Sequence, residues 1–348
     1  MPGIGARRLR VLLQAFQTAV GALRAPYGAL AALPGFGRAA AAAIRAARVD
    51  QGETILRDLE RLGAGVLLPD DPSFPPLLRE ITDPPTALFV WGRVELLSQP
   101  AVAMVGSRDH TSYGAAAARL LAGGVAASCV VVSGMARGLD AIAHSAALDA
   151  GGTSIGVLGN GLGVIYPAAN RALYQRMVKE GCLVTELPPG ERPNAGAFPR
   201  RNRLISGLAR ATVIVEAAPD SGAIITADAA LDQGRPVLAV PGPITSRTSL
   251  GCNRLIQQGA KPALCVEDIL EEMGMAPPRT APAAPAGPPL EDLTPVQRSL
   301  WDALAERQHV DALVTVAGGD AGTVLTALTE MEMRGLVKQE PGMVFERA

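Results

Sequence analysis

Four cysteines and three histidines in 348 residues leave little material for metal or redox chemistry. Cys129, Cys182, Cys252 and Cys265 lie far apart, with no Cys-x-x-Cys pair, which argues against a zinc site and against a disulfide framework. Cys129, Cys182 and Cys265 fall in apolar strand-like runs, where a cysteine is usually a small buried hydrophobe. Neither a metal nor a cofactor is expected. Aromatic residues are only 3%, which excludes an extended aromatic surface. Lysine is limited to Lys179, Lys261 and Lys338, so basic charge is almost all arginine. No apolar run reaches the roughly 18 residues of a membrane span. The N-terminus lacks the basic start, apolar core and small-residue cleavage site of a signal peptide. A cytoplasmic protein without membrane contact is expected. What is present suffices for a core: hydrophobic residues are 48% and charged residues 19%, so wholesale disorder is excluded. The length suits two or three domains.

The formal net charge is −1, but its distribution is uneven. Residues 1–48 hold seven arginines and no acid, and residues 195–210 hold four arginines and no acid. Residues 290–348 hold ten acidic and five basic residues, a balance of −5. Concentrated positive charge focuses a field on a polyanion, and guanidinium forks fit phosphate oxygens.

Four regions follow from the residue patterns: a helical segment 1–65, a core 66–275, a linker 276–289 and a C-terminal domain 290–348. In the first, apolar residues at helical spacing predict a helix over 7–24, then a turn at Pro26 and a second helix to Leu33. Leu33-Pro34-Gly35-Phe36-Gly37-Arg38 then leads into an alanine-rich helix, with glycine expected at both strained turn positions. This resembles a helix-hairpin-helix, in which Gly35, Gly37 and Arg38 would offer a secondary phosphate contact. An αα-corner without a ligand would use the same residues. In the core, apolar runs of strand length occur at 101–105, 129–133, 154–158, 182–187, 212–217, 236–240 and 263–266, separated by helix-compatible stretches. That alternation predicts a buried parallel sheet with helices on both faces, an α/β fold. Six prolines in 276–289 mark the linker. Beyond it Thr294-Pro295-Val296-Gln297 has capping-box spacing with proline at the first helical position. Helices at about 295–307, 311–317 and 321–334 and a hairpin from Val337 to Glu346 compose a winged helix.

In a doubly wound sheet, ligands bind beyond the carboxyl ends of the strands. Those ends carry Val105-Gly106-Ser107-Arg108, then Ser133-Gly134-Met135-Ala136-Arg137-Gly138, then Gly159-Asn160-Gly161, Pro188-Pro189-Gly190, Ser221-Gly222 and Pro241-Gly242. Several glycine loops on one rim favour a phosphate or nucleotide surface, because glycine lets backbone N–H groups approach an anion. Neither the dinucleotide-binding glycine fingerprint nor a Walker lysine motif is present. Phe198-Pro199-Arg200-Arg201-Asn202-Arg203 is the strongest segment. Proline at a helix start would put Arg200, Arg201 and Arg203 on the first turn, where the helix dipole disfavours cations unless an anion fills the site. A solvated basic face, or ion pairs with Glu186 and Glu216, is the alternative.

Over about residues 66–262 these segments, in order, resemble the bacterial DNA-processing protein A family (DprA, also called Smf). The resemblance also rests on Tyr113-Gly114, Asp140 with Ala143-His144, Thr185-Glu186, Thr226-Ala227, Gly251-Cys252-Asn253 and Gly259-Ala260. It implies an extended Rossmann-like core flanked by an N-terminal helix-hairpin-helix (SAM-like) domain and a C-terminal winged helix. It implies a homodimer that binds and protects single-stranded DNA and loads the RecA recombinase onto it in natural transformation and recombination, without catalysis. The expected partners extend to a single-strand binding protein, and to duplex DNA at the N-terminal domain. By position, the DNA site would take Gly106, Ser107 and Arg108; Ser133, Gly134, Met135, Ala136, Arg137 and Gly138; and Phe198, Arg200, Arg201, Asn202 and Arg203. After Tyr166-Pro167, where some relatives carry lysine, this chain has Ala168, so a phosphate contact is absent there unless Arg171 replaces it. Phe198 and Tyr166 are the rim aromatics that could stack on bases, with packing into the core the alternative for each, and an apolar surface near 213–260 is the expected dimer face.

A nucleotide-processing enzyme of the phosphoribohydrolase type is the alternative, with Glu186, Glu216 or Asp140 as the carboxylate. The Pro-Gly-Gly-x-Gly-Thr signature of that group is missing, since Pro241-Gly242-Pro243 breaks it. No nucleophile–base pair emerges; His144 is expected to pack or cap. The balance of −5 in the winged helix argues against DNA contact there and for a protein-contact or autoinhibitory role.

Overall fold

The computed structural model describes residues 4, 6–47, 49–275, 293–305, 307–318, 320–334, 336–340 and 342–347. The expected linker 276–289 lies outside the described residues. The chain divides into two compact units, Met1–Pro278 and Arg279–Ala348.

The first unit opens with five helices, α1 (Ala6–Phe16), α2 (Ala19–Arg24), α3 (Tyr27–Ala31), α4 (Arg38–Arg45) and α5 (Val49–Leu62). The single helix expected over 7–24 is two. Gln17 turns left-handed at φ 68°, and Thr18 restarts the helix by accepting the Gly21 N–H at 2.9 Å. Leu12, Leu30, Phe36 and Ile44 are buried at the centre of this cluster. Gly35 takes the left-handed turn position at φ 78°, but Gly37 does not: it is extended, φ −113° and ψ −176°, and caps α4. The strain expected at both glycines falls on one.

The sheet has nine strands: β1 (Gly65–Leu67), β2 (Leu88–Gly92), β3 (Ala101–Val105), β4 (Val130–Ser133), β5 (Ser154–Val157), β6 (Cys182–Thr185), β7 (Ala211–Ile214), β8 (Val237–Ala239) and β9 (Lys261–Pro262). Their order is β1-β2-β6-β5-β4-β3-β7-β8-β9. From β6 to β9 all pairs are parallel, while β2 and β1 extend the sheet antiparallel beyond β6. Side chains alternate between two cores, as the period of a strand requires. Ala101, Ala103 and Val105 face one; Val102 and Met104 face the other. The first core is closed by α6 (Pro76–Arg79), α10 (Ala197–Gly207), α11 (Gly222–Asp232) and α12 (Leu250–Gln257), the second by α7 (Ser112–Val125), α8 (Leu139–Asp149) and α13 (Val266–Glu272). At the β6 side α5 and α9 (Arg171–Glu180) cover Phe89 and Leu183. The last strand lies earlier than the expected 263–266, and Cys265 is no buried strand residue: half-buried, it sits at the N-cap of α13, where Asp268 accepts its N–H at 3.1 Å. Cys129, Cys182 and Cys252 are buried.

The second unit has α14 (Pro295–Ala303), β10 (Gln308–His309), α15 (Val310–Ala317), α16 (Ala321–Met333), β11 (Val337–Glu340) and β12 (Val344–Arg347), with strand order β10-β12-β11. The capping box read from the sequence is present: Thr294 Oγ1 accepts the Gln297 N–H, and Gln297 Oε1 accepts the Thr294 N–H. Leu300, Leu313, Val324, Leu328 and Phe345 form a core of its own. Among the described residues, no single helix is long and apolar enough to cross a membrane.

Candidate nucleic-acid interface

The parallel order reverses beside β3: β4, β5 and β6 lie on one side of it, β7, β8 and β9 on the other. Loops leaving the carboxyl ends of β3 and β7 therefore diverge to opposite faces and leave a crevice between them. A cavity of about 360 Å³ opens there, lined by Gly106, Ser107, Arg108, Ser221, Gly222 and Thr226 among others. A second, also about 360 Å³, opens beyond β4 and β5 and is lined by Met135, Leu158, Gly159, Asn160, Tyr166 and Pro167. Arg108, Ala136, Phe198 and Arg201 line both and so form the wall between them. Of the strand-end loops read from the sequence, those at Gly106, Gly134, Gly159 and Gly222 line the two cavities, while Pro188–Gly190 and Pro241–Gly242 line neither.

The Ser107 loop is fixed from below. Its N–H donates to the Glu216 carbonyl at 2.7 Å, and its hydroxyl donates to the Asp109 carbonyl at 2.9 Å. Buried Glu216 accepts the Thr111 N–H and the Thr111 hydroxyl, each at 2.9 Å, and the Thr248 hydroxyl at 2.5 Å. Thr111 caps α7, its hydroxyl accepting the Gly114 N–H at 3.1 Å, and the Glu216 carboxylate ties the Thr111 and Thr248 loops together without lining either cavity. Arg108 projects from this loop, exposed, with its guanidinium carbon 5.9 Å from the Phe198 ring centre. Phe198 in turn lies 5.6 Å from the Tyr166 ring at a 34° tilt. Phe198 is half-buried and Tyr166 exposed, which leaves both rings at the rim rather than in the core.

The Gly134–Gly138 loop does not present its N–H groups as the sequence suggested. Those of Gly134 and Ala136 donate to the buried Asp140 carboxylate at 3.1 and 3.4 Å, and that of Met135 donates to His144 Nε2 at 3.4 Å. An internal anion occupies this nest. Burial pushes the Asp140 carboxyl above its ordinary range, and the nearby Arg201 charge works against that rise. Burial also holds His144 neutral, pushed down to about 3. Its Nδ1–H donates to Ser154 Oγ at 2.7 Å, and that hydroxyl donates to the Val131 carbonyl at 2.6 Å. Met135 takes the left-handed conformation at φ 56°. Of the loop, the N–H groups of Arg137 and Gly138 have no internal acceptor among the described residues. The Arg137 guanidinium pairs with Asp109 at 3.0 Å, both well exposed.

The three arginines of the basic segment have three fates. α10 starts at Ala197, so they occupy its fourth, fifth and seventh positions rather than the first turn. The helix dipole therefore disfavours these cations less than at the first turn, since its field fades within one turn. Arg200 is exposed and only 3.8 Å from Glu186. Arg203 is nearly buried and pairs with Glu186 at 2.5 Å and Asp83 at 3.4 Å. The ion-pair alternative holds for this residue. Arg201 is buried at 5% exposure, and its Nη1 donates to the carbonyls of Gly134 and Val157. Burial lowers it to about 10, opposed by Asp140 and reinforced by Arg108, so it stays charged at neutral pH. Asn202, also buried, receives Arg201 Nε at 3.2 Å and donates to the Gly222 carbonyl at 3.1 Å.

Asn170, not singled out from the sequence, donates to the carbonyls of Met135 and Ala136 at 2.9 and 3.1 Å. It lies three residues past Pro167, and nothing in composition or spacing separates it from a surface asparagine. The Gly35–Gly37 turn is away from these residues in sequence and opens to solvent; Arg8 Nε donates to the Gly35 carbonyl at 3.0 Å. Among the described residues, no group of three or more His, Cys, Asp or Glu is placed to hold a metal.

The comparisons with known proteins agree with this layout. The family model for DNA recombination-mediator protein A matches residues 65–274, and that for the DprA winged helix domain matches residues 281–343. Protein Smf of Synechocystis is 34% identical over 381 residues, 99% of this chain and 96% of that protein. The solved DNA processing protein A of Streptococcus pneumoniae superposes with a TM-score of 0.70 at 35% identity, covering 78% of this chain and 94% of that one. A DNA processing protein A from Helicobacter pylori, solved for its single-stranded DNA binding mode, gives a TM-score of 0.55 at 29% identity over 60% of this chain and 94% of that one. The chain therefore belongs to the DNA recombination-mediator protein A family, DprA/Smf.

Proposed function

We propose that this chain binds single-stranded DNA along the carboxyl edge of its core sheet, and that it does so without catalysis. The observation that carries the reading is the Arg108–Phe198–Tyr166 row, of which Arg108 and Phe198 line both cavities and Tyr166 the second. A cation without a carboxylate partner among the described residues suits a phosphate, and two rim rings suit bases. Arg200, exposed and 3.8 Å from Glu186, lies on the same edge, while Arg137 is paired with Asp109. Two strand-end carboxylates that a nucleotide hydrolase would need, Glu216 and Asp140, are buried and spent on internal N–H and hydroxyl groups. The third, Glu186, is held by Arg203. Family membership supports the finer part of the reading: a cytoplasmic homodimer that shelters incoming single strands and passes them to the RecA recombinase, alone or with a single-strand binding protein. The helical turn at Gly35, Gly37 and Arg38 is a secondary contact, for duplex DNA, in the same reading.

Fluorescence anisotropy of a labelled oligothymidylate over a salt series tests it. Binding is expected, with a slope of log K against log salt that flattens when Arg108 and Arg200 become alanine. An unchanged slope, or release of free base from nucleoside monophosphates, overturns it.

A further inference from the structure

The ladder between β4 and β5 ends at the pair Ser133 and Gly156. One residue further on each strand, the carbonyls of Gly134 and Val157 both receive Arg201 Nη1. The same guanidinium passes through Nε to Asn202, and Asn202 passes on to the Gly222 carbonyl at the start of α11. One dipeptide thus joins the ends of β4 and β5 to the start of α11. Gly134 is pinched in this arrangement: a Cβ there would lie 2.7 Å from Arg201 Nη1 and 2.6 Å from Asp140 Oδ2. From the other wall Asn170 holds the carbonyls of Met135 and Ala136. Five apolar or aromatic residues of the second cavity, Met135, Leu158, Tyr166, Pro167 and Phe198, offer a surface for a base beside Asn160 and three arginines.

We infer that Arg201 and Asn202 are positioning residues, a brace that sets the width of the second cavity for a base, while phosphate contact falls to Arg108 and Arg200. The inference rests on the single-strand reading above. A positioning role separates from a phosphate role because only groups that neutralise phosphates release counterions, about 0.7 in slope for each on single strands. It separates from a merely structural role because a distorted base slot leaves phosphate binding intact.

The experiment compares an oligothymidylate with an abasic oligomer of the same length, over a salt series, for wild type, Arg201→Lys, Arg201→Gln and Asn202→Ala. Lysine keeps the charge but offers no planar fork to reach both carbonyls. Each variant is expected to bind the oligothymidylate about tenfold more weakly, the scale of one lost base stack, with the wild-type slope. Abasic binding stays within about twofold of wild type, on a scale where tenfold is one stack. In Arg201→Gln, which removes the charge, a slope flatter by about 0.7 with both oligomers weakened makes Arg201 a phosphate ligand and overturns the inference. Equal weakening of both oligomers at unchanged slope also overturns it. A thermal melt checks each variant, and Asn202→Ala, which leaves the guanidinium in place, carries the test if Arg201→Lys does not fold. Failure of wild type to bind either oligomer removes the single-strand reading itself, a separate outcome.

Discussion

Two helices of this chain belong to element types that commonly face nucleic acid, and they are built in opposite ways. α10 carries three arginines and no acid, whereas α16, the last helix of the winged fold, carries Glu330 and Glu332 and neither lysine nor arginine. The count is not the whole difference. Of the α10 arginines, Arg201 is buried as a brace, Arg203 is paired, and only Arg200 stands in solvent. In the winged helix, Lys338 pairs with Glu340, and Arg347 lies 4.6 Å over Trp301 while donating to its carbonyl. What makes one edge a candidate interface is exposed cations on a braced frame: Arg108, with no carboxylate partner among the described residues, and Arg200, 3.8 Å from Glu186. α16 offers neither.

The frame is the easiest part to break. Gly138 sits at φ 82°, and a Cβ there would fall 2.6 Å from the carbonyls of Ser107 and Arg108. Gly342, in the hairpin of the other unit, has φ 89° but nothing within 4 Å of a Cβ. Gly138→Ala is therefore expected to cost roughly 3 kcal/mol or more, from overpacking added to backbone strain, and Gly342→Ala only about 1 kcal/mol. Urea midpoints measure both. Equal costs would mean that the Gly138 loop is not a fixed frame.

The committed and uncommitted cations separate next. If all three of Arg108, Arg200 and Arg203 met phosphates, their joint loss would flatten the salt slope by about 2 units. With Arg203 held by Glu186 and Asp83, the expected change is about 1.4, all of it present in the Arg108→Ala/Arg200→Ala double variant. A further drop on adding Arg203→Ala would show that DNA draws Arg203 away from its partners.

A smaller effect distinguishes the units by pH. His144 is buried and held down to about 3, against roughly 6.5 in an unfolded chain. Between those values the unfolded state takes up the proton and the folded state does not. The stability is therefore complete above about pH 6.5 and falls with pH, by about 1.4 kcal/mol per unit, toward pH 3. The raised carboxyl of Asp140 works in the opposite sense at the acid end, so the difference between variants isolates the histidine. Going from pH 7 to pH 5, wild type should lose about 2 kcal/mol more than His144→Gln in urea titrations. The winged helix has only the half-exposed His309 and no such internal histidine. Parallel curves for wild type and variant would mean that His144 is solvated or protonated in the folded core.

Periodicity made most of the fold legible, because strand runs and a capping box are local signals. The Gly-Ser-Arg loop and the aromatic rim could be placed for the same reason: each follows a strand or opens a helix. The brace could not. Arg201 and Arg200 are neighbours of one type, and only the turn of α10 sends one inward to two carbonyls 44 and 67 positions away in sequence. Asp140 filling the loop's N–H groups was hidden likewise, since the donors look available until the helix after them turns its carboxylate back. Sequence shows which charges exist; what each is bonded to is a long-range fact.

The last contrast predicts no effect at all, and it is the most exposed to refutation. A winged helix reads DNA through a helix laid in the major groove, where cations approach phosphates and side chains reach base edges. In this chain that helix would bring Glu330 and Glu332 toward a polyanion. Residues 290–348 carry a balance of −5, so long-range attraction is also missing. The unit has its own core, so it can be tested as a fragment. Purified 290–348 should leave a labelled duplex unshifted at physiological salt, while the full chain still binds a single strand. A shift by the fragment would mean that some other surface of this unit takes DNA despite α16, and that the division between a cationic edge and an acidic helix does not describe how the chain works.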